Sequence, residues 1–217
     1  QSGKNLGDTV GPEVVLSEKG AKDAREFGEK LREKHPEFKG IKIYHSGVDR
    51  AKTTGDLIAG ENSTYSPRER ESLVLKGKIT QEAFNKIVED TKAEGGNEAT
   101  MIQKLLDANE VPLDEKSMTS GEISKIVAAN ILRMVEMSKK LFSDSKVNIV
   151  FVSHAGVIEH FLVDLLKKER FNFIEGVLGG ELQYLEGPEI SIKRKDRNSV
   201  DIQVKFRNEE FSISEDE

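Results

Sequence analysis

The stretch Val147-Asn-Ile-Val-Phe-Val-Ser-His-Ala-Gly-Val-Ile158 constrains this chain more than any other. Val147 to Val152 is an apolar, β-branched run, and it breaks at Ser153-His154-Ala155-Gly156. From Val157 to Leu166 apolar residues recur at helical spacing. The pattern predicts a buried strand, a tight turn and a helix. His154 then stands at the carboxyl end of a strand and the amino end of a helix. Open α/β sheets bind ligands at such points. The N–H groups and dipole of a helix start favour an anion there. A histidine so placed can equally be a cap or a hydrogen-bonded bystander, so the rest of the chain has to decide between the two.

A second unit of the same kind lies upstream. Ile41-Lys-Ile-Tyr44 predicts a short strand, His45-Ser-Gly-Val-Asp49 a turn, and Arg50 opens a helix to about Ala59. This turn also carries a polar cluster, His45, Ser46 and Arg50. Before it, Ser17 caps a predicted helix from about Glu18 to Lys34, with Pro36 just beyond. Residues 60–79 are irregular and charged. Helices are expected at about Gln81–Ala93 and Glu98–Ala108, on either side of Gly95-Gly96. Thr119-Ser-Gly-Glu122 is a capping box opening a long helix to about Phe142. Three runs then alternate with period two: Leu182–Leu185, Ile190–Ile192 and Val200–Phe206, with a turn at Lys195–Asn198 between the last two. The expected fold is α/β. It is a three-layer sandwich with a mostly parallel central sheet between helices, a small helical insertion at about 79–108 and C-terminal antiparallel strands. All 217 residues are read as one domain. The insertion is either a cap beside the sheet or an element of substrate selection.

Composition removes several classes of function. The formal net charge is −6, with no basic stripe for nucleic acid, although a few local arginines suffice for a small anion. The absence of cysteine excludes disulfides, thiolate catalysis and cysteine-ligated zinc. The four histidines, His35, His45, His154 and His160, form no spaced metal cluster, so neither a metal nor another cofactor is expected. No run approaches the ~20 apolar residues of a membrane span, and no leader is visible. A cytoplasmic protein acting on a small molecule is the default expectation.

Three separated pieces resemble one family, the histidine phosphatase superfamily, which includes the cofactor-dependent phosphoglycerate mutases. Ser46-Gly-Val-Asp-Arg50-Ala-Lys-Thr-Thr54 is similar to its Ser-x-x-x-Arg-Ala-x-x-Thr turn. Val152-Ser-His154-Ala-Gly-Val-Ile158 is similar to its second-histidine motif. Leu16-Ser-Glu-Lys-Gly20-x-x-x-Ala24 is similar to the start of its first helix. The resemblance implies that Arg50 binds phosphate and that His154 contacts the transferring phosphoryl group. Glu69-Arg70, with Gly77 and Glu82 downstream, resembles the family's acidic segment. That implies Glu69 as proton donor, with Glu71 as second choice; a solvated loop is the alternative. The family's Arg-His-Gly nucleophile motif is absent, yet Gln1-Ser2-Gly3-Lys4-Asn5 resembles the residues that come directly after that motif in the family. The resemblance therefore implies a nucleophilic histidine just upstream of residue 1, with Ser2, Asn5 and the N–H groups of Ala155 and Gly156 as further phosphate donors. His154-Ala-Gly-Val looks more like the phosphatase branch than a mutase. A mutase-type phosphotransferase and a non-catalytic phosphate-binding protein on the same fold are the alternatives, with a small phosphorylated substrate or phosphate as the partner.

Overall fold

The computed structural model describes residues 15–37, 41–61, 63, 65–108, 111–140, 147–166, 182–196 and 198–213. Helix α1 (Glu18–Lys34) starts where the Ser17 hydroxyl accepts the Gly20 N–H at 3.1 Å. Strand β1 (Ile41–His45) comes next, then α2 (Asp49–Ala59), a two-residue strand β2 (Arg68–Glu69) and a 3-10 turn at Glu71–Leu73. The insertion forms α3 (Gln81–Ala93) and α4 (Glu98–Asp107). The expected capping box opens α5 (Ser120–Lys140): Thr119 N–H donates to Glu122 Oε2 at 2.8 Å and Glu122 N–H to Thr119 Oγ1 at 3.2 Å. Strand β3 (Asn148–Val152) leads into α6 (Val157–Leu166), and the described part ends in β4 (Glu189–Arg194), β5 (Val200–Phe206) and β6 (Glu209–Ile213).

Two sheets result. The first is parallel, in the order β2-β1-β3, with Ile41 opposite Asn148 and His45 opposite Val152. The second is antiparallel, in the order β4-β5-β6. Side chains alternate across the parallel sheet, as strand geometry requires. Ile41 and Ile43 face α1 and α2, where they join Ala24 and Ile58, with Val150 and Val152 packed alongside. Burial of an isoleucine such as Ile43 contributes roughly 1.5–3 kcal/mol. A larger cluster gathers the insertion, α5, α6 and Phe206, with Ile102, Leu105, Ile123 and Leu162 at its centre. Val135 of α5 packs on Val200 and Ile202, with Ile190, Ile192 and Ile213 around them, so α5 seats the antiparallel sheet.

Two sequence expectations need correction. Leu182–Leu185 is not a strand. Tyr184 and Leu185 form a turn, with Leu185 at φ 63°, and Glu186 takes the Gln183 N–H at 2.7 Å while pairing with Arg207. The alternation Leu-Gln-Tyr-Leu is too short to outweigh that carboxylate. Conversely, β6 was not expected. It pairs with β5 across Arg207-Asn208, where Arg207 has φ 54°. Asn208 and the alternation of Phe211 and Ile213 were its available signals. The last residues of the long helix expected to reach Phe142 lie outside the described residues, as does the tail from Ser214.

Candidate active site

The parallel pairing of β1 and β3 brings two strand ends together. Ser46 leaves β1 as His154 leaves β3, and Ser46 Oγ lies 2.6 Å from His154 Nε2. The two residues are 108 apart in sequence. Ser46 is 3% exposed, so little water competes for this bond. The turn after β1 is tight because Gly47 takes φ 81° and donates its N–H to His45 Nδ1 at 3.1 Å. Arg50 then sits in the first turn of α2. Ala51 and Thr54, the other fixed residues of the motif, are buried behind it, and the Thr54 hydroxyl donates to Arg50 C=O at 2.8 Å.

The electrostatics result from this enclosure. Burial, with a smaller push from Arg50, lowers the His154 pKa to about 4, so the imidazole is neutral near pH 7. Burial also lowers Arg50 from its ordinary value, against the opposing pull of Glu98 and Tyr184. Both shifts have withdrawal from water as their main cause. An arginine and a histidine that have lost hydration recover favourable interaction when a dianion arrives between them.

Glu69 reaches the same place from the neighbouring strand. It pairs with His45 in register, and a Cβ built on Gly47 would stand 2.6 Å from Glu69 Cδ. The carboxylate therefore lies over the turn that carries Ser46. Glu71 is one turn further on, where its C=O accepts Lys78 Nζ at 3.0 Å. Arg50, Val48 and His154 line one cavity of ≈ 2660 Å³.

The turn after β3 is arranged differently from the sequence expectation in one respect. Gly156 N–H donates to Glu159 Oε2 at 2.6 Å. Glu159 is 0% exposed and acts as the third-position acid of a helix cap. That N–H is thus committed to the protein, whereas Ala155 is exposed at the apex of the turn. Glu159 was not singled out from the sequence; its signal was an acid in the first turn of an apolar helix. Ser46 was visible as the first residue of its motif, but its bond to His154 was not. The other histidines are engaged elsewhere. His35 caps α1 near Glu37 and Glu189, His45 accepts from Gly47, and His160, 1% exposed, bonds Gly156 C=O. Ser2 and Asn5 lie outside the described residues. Among the described residues no cluster of His, Asp and Glu could hold a metal, and no helix is long and apolar enough to cross a membrane.

Parallel strand ends bring Ser46 to His154, and Arg50 and His154 line one cavity, in an open α/β fold. The family model of the histidine phosphatase superfamily (branch 1) matches residues 7–176, and the chain belongs to that superfamily. Membership supports phosphatase or mutase-type chemistry. Two solved structures share the fold. One is a mycobacterial glucosyl-3-phosphoglycerate phosphatase in complex with VO3, 15% identical, with 95% of each chain covered and a TM-score of 0.58. The other is described as mycobacterial hydrolase 1, 16% identical, with the same coverage and TM-score. No curated protein sequence matches significantly.

Proposed function

We propose that the protein is a phosphomonoester hydrolase that works through a phosphohistidine, with the nucleophilic imidazole supplied from just upstream of Gln1. The observation that carries this reading is the 2.6 Å Ser46–His154 bond beside Arg50, at the carboxyl ends of two parallel strands. Arg50 and His154 are donors fixed before the substrate arrives, and such donors stabilise charge developing on phosphoryl oxygens. A nitrogen of the nucleophilic histidine forms the N–P bond as the bond from phosphorus to the leaving oxygen breaks. Glu69 gives its proton to that oxygen. Water then attacks phosphorus, Glu69 takes a proton from it, the N–P bond breaks and inorganic phosphate leaves. Ser2, Asn5 and Ala155 N–H are assigned as neutral phosphate contacts, and Gly156 only if Glu159 releases it.

Among the described residues β3 pairs with β1, and Val147 to Val152 line the same cavity as His154. The phosphatase assignment over a mutase rests on His154-Ala-Gly-Val, and a cytoplasmic setting is part of the same proposal.

The test is phosphate release from 4-nitrophenyl phosphate. The full-length gene product is compared with the chain beginning at Gln1, and with full-length His154→Ala. Activity confined to the full-length wild type is expected. A folded, full-length protein that binds phosphate but releases none overturns the enzyme reading in favour of a binding module.

A further inference from the structure

Glu69 lies on a strand two residues long, too short to hold its own geometry. β2 meets β1 only at Tyr44↔Arg68 and His45↔Glu69, closed by Arg70 N–H donating to His45 C=O at 2.8 Å. Beyond it, the turn at 71–74 is fastened by side chains from three other places. Ser153 Oγ donates to Leu73 C=O at 2.7 Å. Asn130 of α5 donates its amide to Ser72 Oγ at 3.0 Å. Lys78, 6% exposed, donates its ammonium to Glu71 C=O at 3.0 Å and also to Val74 C=O. A buried lysine is costly unless its donors are used, and burial indeed lowers Lys78 from its ordinary value. Here the ammonium serves the Val74 C=O and shares the Glu71 C=O with the Val74 N–H, 3.3 Å away.

Ser153 immediately precedes His154. One hydroxyl therefore ties the strand end that carries His154 to the turn beyond Glu69. We infer that Ser153 and Lys78 are positioning residues that hold the Glu69 carboxyl at a set distance from the phosphoryl site. This rests on the proposed role of Glu69 as proton donor. A general acid works only within hydrogen-bond reach of the leaving oxygen, and a displacement of about 1 Å can cost on the order of 100-fold.

Leaving-group dependence separates positioning of an acid from general damage. Phenyl phosphate needs a proton on its leaving oxygen, whereas 2,4-dinitrophenyl phosphate leaves as a stable anion. The readout is kcat/KM of the full-length protein, which reports the first phosphoryl transfer and not the later hydrolysis. Ser153→Ala and Lys78→Met are each expected to lower kcat/KM for phenyl phosphate by roughly 10- to 100-fold. For the dinitrophenyl ester they change it less than about threefold, since that step draws little on general acid catalysis. Ser153→Thr, which keeps a hydroxyl, restores phenyl phosphate hydrolysis. Equal losses on both esters, or no loss on either, overturn the inference. Glu69→Gln is run in parallel. If it shows no leaving-group dependence, the acid assignment itself falls and the inference with it; if it does while Ser153→Ala and Lys78→Met do not, only the inference falls.

Discussion

Gly28 is the position where the packing of this fold is most exposed to a single methyl group. Helix propensity alone says that Gly28→Ala should stabilise α1 by up to about 1 kcal/mol. The tertiary structure says otherwise. A Cβ at Gly28 would stand 2.9 Å from Ile58 Cα and 3.0 Å from Ile58 C, and nearer still to the carbonyl oxygen. Ordinary carbon contacts begin near 3.5 Å, and the carbonyl oxygen is the nearest obstacle, so α1 and α2 must separate by about 1 Å. The obstacle is backbone, not a side chain that can rotate away. Ala24 and Ile58, 0% and 1% exposed, lose contact in the process. Arg32 Nη1, which donates to Ile58 C=O at 2.9 Å, is displaced with it. Overpacking costs about 1–3 kcal/mol, and rigid surroundings put this case at the upper end. Net of the propensity gain, about 2 kcal/mol is lost. Urea unfolding should move to a lower midpoint by roughly 0.7 M at constant slope, and the thermal midpoint should fall by about 4–8 °C. Gly20→Ala in the same helix meets the tip of Leu16, 2.8 Å from Cδ1, which can turn aside. That control should be neutral or slightly stabilising. A Gly28→Ala protein as stable as wild type would refute the close approach of α1 and α2.

Three further outcomes are expected at the site. Arg50→Ala and His154→Ala should each lower phosphatase turnover by about two to four powers of ten, the cost of one preorganised donor; wild-type turnover in either, measured by phosphate release, would sink its assignment. The His154 pKa of about 4 lies below the usual 6.5, so the unfolded chain takes up its proton first and stability is present above pH 6.5 and lost as pH falls towards 4. This is worth at most about 3 kcal/mol, and His160, also lowered by burial, acts in the same direction. Urea titrations at pH 7 and pH 4.5 should show a smaller difference for His154→Gln than for wild type; equal differences would contradict the shift. Gly47→Ala places a side chain at φ 81° and against Glu69. It should cost about 1–2 kcal/mol in unfolding experiments and should weaken hydrolysis of phenyl phosphate more than that of the dinitrophenyl ester.

Much of this architecture was legible because its signals are local. The polar break at Ser153–Gly156 in an apolar run marks strand, turn and helix whatever surrounds it. Ser17 and the Thr119–Glu122 box are capped by groups three residues away, so the helix starts need no distant partner. Where local signals were weak the expectation failed. The period of two at Leu182–Leu185 lost to a turn secured by Glu186, whose partner Arg207 lies 21 residues on. The strand at Glu209–Ile213 is short and carries two charged residues, and it exists because β5 offers it an edge.

The sequence by itself determined which residue types could do chemistry and at which strand ends they sit. It holds no cysteine, and its serine, arginine and histidine are spaced as a phosphate-binding family spaces them. Only the tertiary structure decided how those groups are coupled. Parallel pairing of β1 and β3 in one register joins Ser46 to His154, and a shift by one residue would turn their side chains to opposite faces. Burial, which no linear pattern displays, makes His154 neutral and commits the Lys78 ammonium to the turn beyond Glu69. The same is true of Gly156, whose N–H belongs to Glu159 because the helix start folds that carboxylate back over it. Hydrogen bonds and desolvation depend on distances in space, and those are set only when the strands are side by side.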